Sequence, residues 1–210
     1  MKKPMKRESP KAGMAANPKP PLLFLHVVLL SILLLQITAS PEAQAEALVK
    51  WKNTLAALPP SSPLTSWSIA NLNNLCNWTS IVCDSTGTVS EITVSGANLS
   101  GTLAHFNFTP FLNLTRFDLS HNYLTGPIPS EIGRLTELQY LSLPFNYLNG
   151  KIPYQITNLQ KVHYLDLGSN RLLNLDWSKF LAMPLLTHLS FYDNYGLTSG
   201  FQGLYFIVTT

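Results

Sequence analysis

The fold is decided by three copies of one pattern: LTRFDLSHNYLTG at residues 114–126, LQYLSLPFNYLNG at 138–150 and VHYLDLGSNRLLN at 162–174. In each copy an asparagine follows apolar residues that stand eight, five and three positions before it. The asparagines recur every 24 residues, and a fourth continues the step: Asn122, Asn146, Asn170 and Asn194. An ordinary domain of alternating strands and helices gives no reason for four asparagines in phase. The stretch is therefore an internal repeat.

The pattern L-x-x-L-x-L-x-x-N-x-L is that of a leucine-rich repeat, whose period is about 20–29 residues. Apolar and polar residues alternate as in a half-buried strand, so Leu141 and Leu143 point inward while Tyr140 and Ser142 point outward. One repeat cannot bury its apolar face alone, and stacked repeats bury a continuous column of leucines. The asparagine lies where the chain leaves the strand, and its amide can bond backbone groups there. We expect an α/β repeat solenoid, an arc with a parallel β-sheet on its concave face.

Charge is unevenly distributed along the 210 residues, of which only 12% are charged. Six of the 14 basic residues precede residue 21, whereas residues 46–210 contain eight basic and nine acidic residues. The folded part is therefore close to neutral and has no basic patch suited to nucleic acid.

Residues 1–45 are predicted to be a secretory signal peptide with a long basic leader. The basic segment precedes an apolar run from Leu22 to Leu35, and small residues follow it. Cleavage is expected after Ala45 or Ala39. The alternative is an uncleaved membrane anchor, although 14 helical residues span only about 21 Å of a hydrocarbon core of ~30 Å.

Residues 46–86 are predicted to form an amino-terminal cap. Apolar spacing indicates one amphipathic helix from Glu46 to Leu58, which two prolines end. Cys76 and Cys83 are the only cysteines, and in a secreted chain they are expected to form one disulfide. Such a cap would shield the first leucines of the solenoid from water.

About five repeats are predicted at residues 87–197, followed by an irregular tail at 198–210. The fourth repeat departs from the others, because residues 172–180 are typical of a short helix capped by Asp176. The sequence shows no closing cap, membrane span or kinase after the fifth repeat. We therefore expect a truncated member of a longer family, with a short secreted protein as the alternative.

The cap and repeats resemble those of plant leucine-rich repeat receptor-like kinases. The resemblance is carried by EALVKWK at 46–52, LTSW at 64–67 and the pattern C-x-W-x-x-x-x-C at 76–83. The repeats add LTGPIP at 124–129, LNGKIP at 148–153 and IGRL at 132–135. Caps of that family usually carry glycine where this chain has Ser80. The resemblance implies the amino-terminal part of a receptor ectodomain, truncated before the transmembrane and kinase regions.

No catalytic site is predicted. The glycine-rich loop, lysine and aspartate motifs of protein kinases are missing, so kinase activity would need downstream sequence. The five histidines show no ligand spacing, and we expect neither a metal nor a cofactor. Four N-x-S/T sequons are candidate glycosylation sites in a secreted chain: Asn77, Asn98, Asn107 and Asn113. Packing in the cysteine loop and beside a strand is expected to limit occupancy at the first and last of them.

The concave face is the predicted binding surface, because solenoids of this kind usually bind there. Tyrosine and arginine are enriched at binding hot spots. The candidate residues are Arg116, Asp118, Tyr140, Tyr164, Asp166, His188 and Tyr192. A solvated face whose side chains stack only for stability is the alternative.

The predicted function is a non-catalytic extracellular recognition module, the ligand-binding or co-receptor-binding segment of a receptor-like kinase. Expected partners are a peptide, a cell-wall ligand or another leucine-rich repeat ectodomain. The expected location is the secretory pathway and then the apoplast or the outer face of the plasma membrane. Membrane attachment would need either downstream sequence or an uncleaved amino-terminal apolar segment. The alternative function is a secreted decoy or an inhibitor of cell-wall-degrading enzymes.

Overall fold

A computed structural model describes residues 40–173 and 183–197, together with residues 24, 26 and 27 and the backbone of Tyr205–Ile207. Most of the predicted leader and of the predicted helix at 172–180 lies outside the described residues. The chain divides into two units, Met1–Leu35 and Gln36–Thr210, and the second contains the fold that follows. Among the described residues, no helix has the length and apolar character needed to cross a membrane.

The cap begins with helix α1, Pro41–Lys52. Ser40 is its N-cap and accepts a hydrogen bond from the Ala43 amide, and Pro41 suits the first helical turn. Gln44 is buried, donates to the Pro110 carbonyl (2.9 Å) and accepts from the Val89 amide (2.8 Å). The predicted helix from Glu46 to Leu58 is therefore wrong at both ends, and residue 46 lies inside α1. The first turn of α1 is stabilised by hydrogen bonds to residues far along the chain. The spacing of apolar residues within the helix does not reveal such contacts.

Tryptophans fill the space between α1 and the first repeat. Trp51, Trp67 and Trp78 are all buried, with ring centroids 6.5 Å apart for the first pair and 6.2 Å for the second. The indole of Trp51 donates to the Thr102 carbonyl, and that of Trp67 donates to the Thr79 carbonyl. These bonds satisfy indole donors that burial would otherwise leave unpaired.

The predicted disulfide joins Cys76 to Cys83, with a Cα–Cα distance of 5.5 Å. Between them Ser80 adopts a φ of +70°, a left-handed conformation that costs L residues about 1–2 kcal/mol. Glycine has no Cβ and adopts it without that cost. This conformation explains why the resembling family usually has glycine at the position of Ser80.

Twelve strands follow one another along the described chain. They are β1 Ile81–Cys83, β2 Val89–Thr93, β3 Ser100–Thr102, β4 Arg116–Asp118, β5 Tyr123–Gly126, β6 Tyr140–Ser142, β7 Tyr147–Lys151, β8 Tyr164–Asp166, β9 Asn170–Leu173, β10 His188–Ser190, β11 Asn194–Gly196 and β12 Tyr205–Ile207. Two sheets result, in the orders β1-β2-β4-β6-β8-β10-β12 and β11-β9-β7-β5-β3.

The first sheet is parallel from β2 to β10, in the register that the 24-residue period requires. Leu141 pairs with Phe117 on one side and with Leu165 on the other, and Leu165 pairs with Leu189. All four side chains are buried. The leucine column and the leucine-rich repeat fold are thus confirmed.

Antiparallel strands cover both ends of this sheet. Strand β1 of the cap pairs with β2, and β12 pairs with β10. The predicted irregular tail at 198–210 therefore contains a strand at Tyr205–Ile207. Its pairing supplies the backbone partners that an edge strand lacks.

Candidate ligand-binding face

Residues that alternate with the buried column lie on the exposed side of the first sheet, which we call the concave face. Successive side chains of a strand point to opposite sides, so the neighbours of Leu141 and Leu165 point out of the core. Parallel pairing then places equivalent residues of successive repeats beside one another: Arg116, Tyr140, Tyr164 and His188 form one row, and Asp118, Ser142, Asp166 and Ser190 form a second.

The first row, here called the aromatic row, is a continuous stack across four strands. The guanidinium carbon of Arg116 lies 3.6 Å from the ring centroid of Tyr140. The rings of Tyr140 and Tyr164 are 4.2 Å apart at 7°, and those of Tyr164 and His188 are 4.1 Å apart at 3°. Each tyrosine therefore has both ring faces covered by neighbours. The row offers a ligand its ring edges and its polar tips.

The second row, here called the polar row, lies at the floor of the concave face and is buried. Asp118 accepts from the amide (3.1 Å) and the hydroxyl (2.7 Å) of Ser120, and it lies 3.6 Å from the Arg116 guanidinium. Asp166 accepts from the Gly168 amide at 2.9 Å. Hydroxyl and carboxylate groups thus line the base of the surface beside the aromatic row.

The structure brings six of the seven sequence-predicted binding residues into these two rows. The seventh, Tyr192, is 52% exposed and belongs to the turn that follows β10. Six of the predicted residues thus lie on one surface. That this surface binds a ligand stays a prediction.

The four sequon asparagines are all exposed. The side-chain amide of Asn113 donates to the Thr88 hydroxyl (3.1 Å), and that of Asn77 donates to the side chain of Asn74. Packing therefore leaves Asn77 and Asn113 accessible, contrary to our expectation. Glycosylation at the four sites remains a prediction.

The repeat asparagines are buried and lie where the chain passes from the first sheet to the second: Asn122 and Asn146 directly precede β5 and β7, and Asn170 and Asn194 are the first residues of β9 and β11. Asn146 donates to the carbonyl of Leu119 in the preceding repeat (2.9 Å) and accepts from the amide of Leu124 (3.0 Å). Asn170 repeats this arrangement with Leu143 and Leu148. These bonds connect each repeat with its neighbour.

Sequence reasoning missed a second aromatic surface, here called the flank surface, on the turns and the second sheet. His121 stacks on Phe145 (4.3 Å, 12°), and Tyr123 stacks on Tyr147 (6.1 Å, 14°) with the Arg171 guanidinium 4.8 Å from the Tyr147 ring. The four stacked rings of His121, Phe145, Tyr123 and Tyr147 border an open groove of about 430 Å³. The sequence does indicate this surface, because aromatic residues recur 24 positions apart on both sides of the repeat asparagine. His121 and Phe145 directly precede Asn122 and Asn146, and Tyr123 and Tyr147 directly follow them.

Candidate metal ligands do not cluster in the part of the chain that the structure describes. No group of three or more His, Cys, Asp or Glu side chains there could hold a metal ion. In the cap, hydrogen bonds from Thr86 and Thr88 lower the pKa of Asp84 to about 2. Asp84 lies in the turn between β1 and β2.

Two family models match the chain. "Leucine rich repeat N-terminal domain" matches residues 41–84, and "Leucine Rich Repeat" matches residues 113–135 and 137–159. The first match begins at the first residue of helix α1, Pro41. Both models describe leucine-rich repeat structure.

Similar curated proteins are receptor kinases of Arabidopsis thaliana. The LRR receptor-like serine/threonine-protein kinase RGI3 is 39% identical over 102 residues, which is 49% of this chain and 9% of that protein. The MDIS1-interacting receptor like kinase 2 is 32% identical over 131 residues, which is 61% of this chain and 12% of that protein. The chain thus spans about a tenth of the length of these relatives.

Solved structures with the same fold include a plant peptide hormone receptor. The crystal structure of PEPR1-AtPEP1 matches with a TM-score of 0.65 and 26% identity over 74% of this chain and 22% of that one. The BIR3–SERK2 complex from Arabidopsis thaliana matches with a TM-score of 0.58 and 28% identity over 71% and 85%. The plant peptide hormone receptor RGFR1 in complex with RGF2 matches with a TM-score of 0.53 and 34% identity over 58% and 22%.

The solenoid register, the disulfide-closed cap and these matches lead to one conclusion. The chain carries a leucine-rich repeat amino-terminal domain followed by leucine-rich repeats, similar to those of plant leucine-rich repeat receptor-like kinases.

Proposed function

We propose that this chain is a non-catalytic extracellular recognition module that binds an extended peptide along its concave face. The observation that carries this proposal is the aromatic row, which crosses four strands from Arg116 to His188. Stacking holds its side chains in place before a ligand arrives, so binding costs little side-chain entropy.

The dimensions of the face suit a short peptide. Five parallel strands at about 4.8 Å make a surface roughly 24 Å wide, which about seven extended residues can cross. A face of this size is small for a stable protein–protein interface, which usually buries about 800 Å² per partner. An extended peptide that lies in the concavity contacts the polar row below it and the aromatic row beside it.

Similarity to peptide-bound receptors supports a peptide as the ligand. Two of the similar structures are PEPR1-AtPEP1 and a plant peptide hormone receptor in complex with RGF2. The relatives are receptor kinases, and this chain covers only a small part of each. We therefore assign recognition to the chain and no reaction.

An extracellular location agrees with the chemistry of the cap. Disulfides persist in oxidising compartments and are rare in the cytosol. The Cys76–Cys83 bond and four exposed sequons are features of a chain that passes through the secretory pathway. We propose the apoplast or the outer face of the plasma membrane as its location.

A peptide-display selection tests the proposal. Dodecapeptides that bind the immobilised full chain are selected from a random library and titrated against two matched double variants. Tyr140→Ala with Tyr164→Ala removes the centre of the aromatic row, and we expect at least tenfold weaker binding. Tyr123→Ala with Tyr147→Ala removes a stacked pair of tyrosines from the flank surface and should change the affinity less than twofold.

The folded state of each variant is checked by its thermal transition. Equal binding by the chain and the Tyr140/Tyr164 double variant would refute the concave face as the peptide site. Loss of binding in the flank variant alone would place the ligand on the other surface.

A second candidate function is association with another leucine-rich repeat ectodomain. The exposed flank surface favours it, because Phe145 is 53% exposed and contiguous exposed aromatic groups often mark interaction sites. One of the similar structures is a complex of BIR3 with SERK2. Phe145→Ser should weaken such an association and leave peptide binding unchanged.

A further inference from the structure

The aromatic rings of the flank surface have no counterparts in the first repeat. In the second and third repeats one ring directly precedes the repeat asparagine and another directly follows it: His121 and Phe145 precede, Tyr123 and Tyr147 follow. In the first repeat Ala97 stands in the asparagine position, and its neighbours are Gly96 and Asn98. The two stacks of rings therefore end at the boundary between the first and second repeats.

Backbone hydrogen bonds confirm this alignment of the repeats. The amide of Leu99 donates to the side chain of Asn122 (2.9 Å), and the amide of Leu124 donates to the next repeat asparagine (3.0 Å). Leu99 and Leu124 are thus equivalent, and so are the residues before them, Asn98 and Tyr123. The Tyr123 amide also donates to the Leu99 carbonyl (2.8 Å). Asn98 therefore lies beside Tyr123, one repeat earlier.

The space in front of the ring stacks is open on the side of the first repeat. Tyr123 is 49% exposed, and one of its ring faces is covered by Tyr147. No other ring or guanidinium of the described residues stacks on Tyr123. A Cβ on Gly96 would have no heavy atom within 4 Å apart from the adjoining chain. A group attached to the first repeat can therefore reach the uncovered face of Tyr123.

Asn98 is the asparagine of a sequon that ends at Ser100, and both residues are exposed. The four sequon asparagines differ in their hydrogen bonds. The side-chain nitrogens of Asn77 and Asn113 donate to neighbouring side chains, and the side-chain oxygen of Asn107 accepts from a backbone amide. The Asn98 side chain makes no hydrogen bond within the part of the chain that the structure describes. Its amide nitrogen is therefore available for a covalent attachment.

Backbone conformation gives a second reason for asparagine at this position. Asn98 has a φ of +56°, in the left-handed region that asparagine adopts more readily than most residues. That conformation does not require Ser100, whose exposed hydroxyl has no hydrogen-bond partner among the described residues. It also does not explain why the first repeat lacks both rings. A glycan at Asn98 accounts for all three observations.

The spacing of the repeats suits contact between a sugar and a ring. Equivalent residues of neighbouring strands are about 4.8 Å apart, and aromatic rings pack with centroids about 4.5–7 Å apart. A sugar on Asn98 is thus within stacking distance of Tyr123. One face of a pyranose consists of C–H groups, so packing it on the ring removes apolar surface from water.

We propose that Asn98 carries an N-linked glycan whose first N-acetylglucosamine packs on the Tyr123 ring, in the place that a ring occupies in the next repeats. The sugar covers the amino-terminal end of the flank surface and leaves Phe145, one repeat farther along, open to a partner. This inference rests on the extracellular location in the proposed function, because N-linked glycans are added in the secretory pathway.

The attachment is a group transfer from a lipid-linked oligosaccharide diphosphate. The side-chain nitrogen of Asn98 attacks C1 of the first sugar, and a C1–N bond forms as the C1–O bond to the diphosphate breaks. The lipid diphosphate leaves, and the amide nitrogen loses one proton. No electrons are exchanged with an oxidant or reductant.

The test uses the full chain secreted from plant suspension cells with its own leader. Glycopeptide mass spectrometry measures occupancy at Asn98, which we expect to be high. Ser100→Ala removes the acceptor signal but keeps Asn98, and it should lower the Tm by about 3 °C because the contact between sugar and ring is lost. Ser100→Thr keeps the sequon and should keep both the glycan and the Tm.

Variants of Tyr123 show whether the sugar acts through the ring. In a Tyr123→Ala background, Ser100→Ala should lower the Tm by less than about 1 °C, whereas in a Tyr123→Phe background the decrease of about 3 °C should persist. Thr79→Ala removes the sequon of Asn77 in the cap, and its effect should be the same in all backgrounds. The same variants made without glycans in the bacterial periplasm give the direct effect of Ser100→Ala, which should be close to zero.

The outcomes separate this inference from the proposed function. An unoccupied Asn98 in a secreted chain would overturn the inference and leave the extracellular location intact. A chain that stays in the cytosol without glycans would overturn both. With Asn98 occupied, a Tm that does not respond to Ser100→Ala, or that responds equally with and without the Tyr123 ring, would overturn the packing of the sugar on that ring.

Discussion

Asn146 donates its side-chain amide to the carbonyl of Leu119 at 2.9 Å, across the boundary between two repeats. It also donates to Leu143 (3.2 Å) and accepts from the amide of Leu124 (3.0 Å). One buried side chain thus satisfies backbone groups of two successive turns. The same contacts recur at Asn170.

Replacing Asn146 with alanine should destabilise the chain by about 3 kcal/mol, because several buried backbone groups lose a partner. The free energy of unfolding is measured by denaturant titration. Asn149→Ala, at an exposed position in β7, is the control and should cost less than about 1 kcal/mol. Equal effects of the two substitutions would contradict the bridging role of Asn146.

Removing the disulfide should destabilise the cap. The double variant Cys76→Ala with Cys83→Ala opens a short loop whose closure entropy corresponds to about 2.5 kcal/mol. We expect a lower Tm than that of the parent chain and no further decrease when a reductant is added. A parent chain whose Tm is insensitive to reductant would argue against this contribution.

Ser80→Gly should stabilise the chain by about 1 kcal/mol, because glycine adopts the φ of +70° at position 80 without steric cost. The measurement is again the free energy of unfolding. Ser80→Ala keeps the Cβ, and it should therefore give no such gain. A gain of the same size with alanine would show that the hydroxyl, and not the backbone conformation, disfavours serine there.

Asp84 should make the stability of the cap depend on acid pH. Hydrogen bonds from Thr86 and Thr88 lower the folded-state pKa of Asp84 from 3.8 to about 2. The folded state therefore favours the ionised form, and this contribution is present above about pH 4 and is lost as the pH falls from about 4 to about 2. Asp84→Asn should flatten that part of the profile of Tm against pH. An unchanged profile in the variant would assign the acid sensitivity to other carboxyls.

The repeat core was predictable from the sequence because its determinants are local and periodic. The period of 24 placed Leu141, Leu165 and Leu189 in one column, and the structure pairs them directly. It also identified the outward residues Tyr140 and Tyr164, although not that their ring faces would be covered. Ring orientation depends on rotamers and neighbours, which a pattern of residue types does not encode.

Contacts between distant parts of the chain were not predictable. The first turn of α1 depends on Gln44, whose partners are Val89 and Pro110. The ion pair of Asp118 needs the position of the Arg116 side chain, which a pattern of residue types does not give. The flank surface was visible as periodic aromatics, but its exposure follows from the tight turns, in which His121 and Phe145 both have a φ of +54°.

The position of Gln44 has a consequence for maturation of the chain. If signal peptidase cleaved after Ala45, the mature chain would lack Ser40, Pro41 and Gln44. It would then lose the capped first turn of α1 and the hydrogen bonds of Gln44 to Val89 and Pro110. Cleavage after Ala39, the other expected position, would keep the first turn and both hydrogen bonds of Gln44, and it would make Ser40 the new amino terminus.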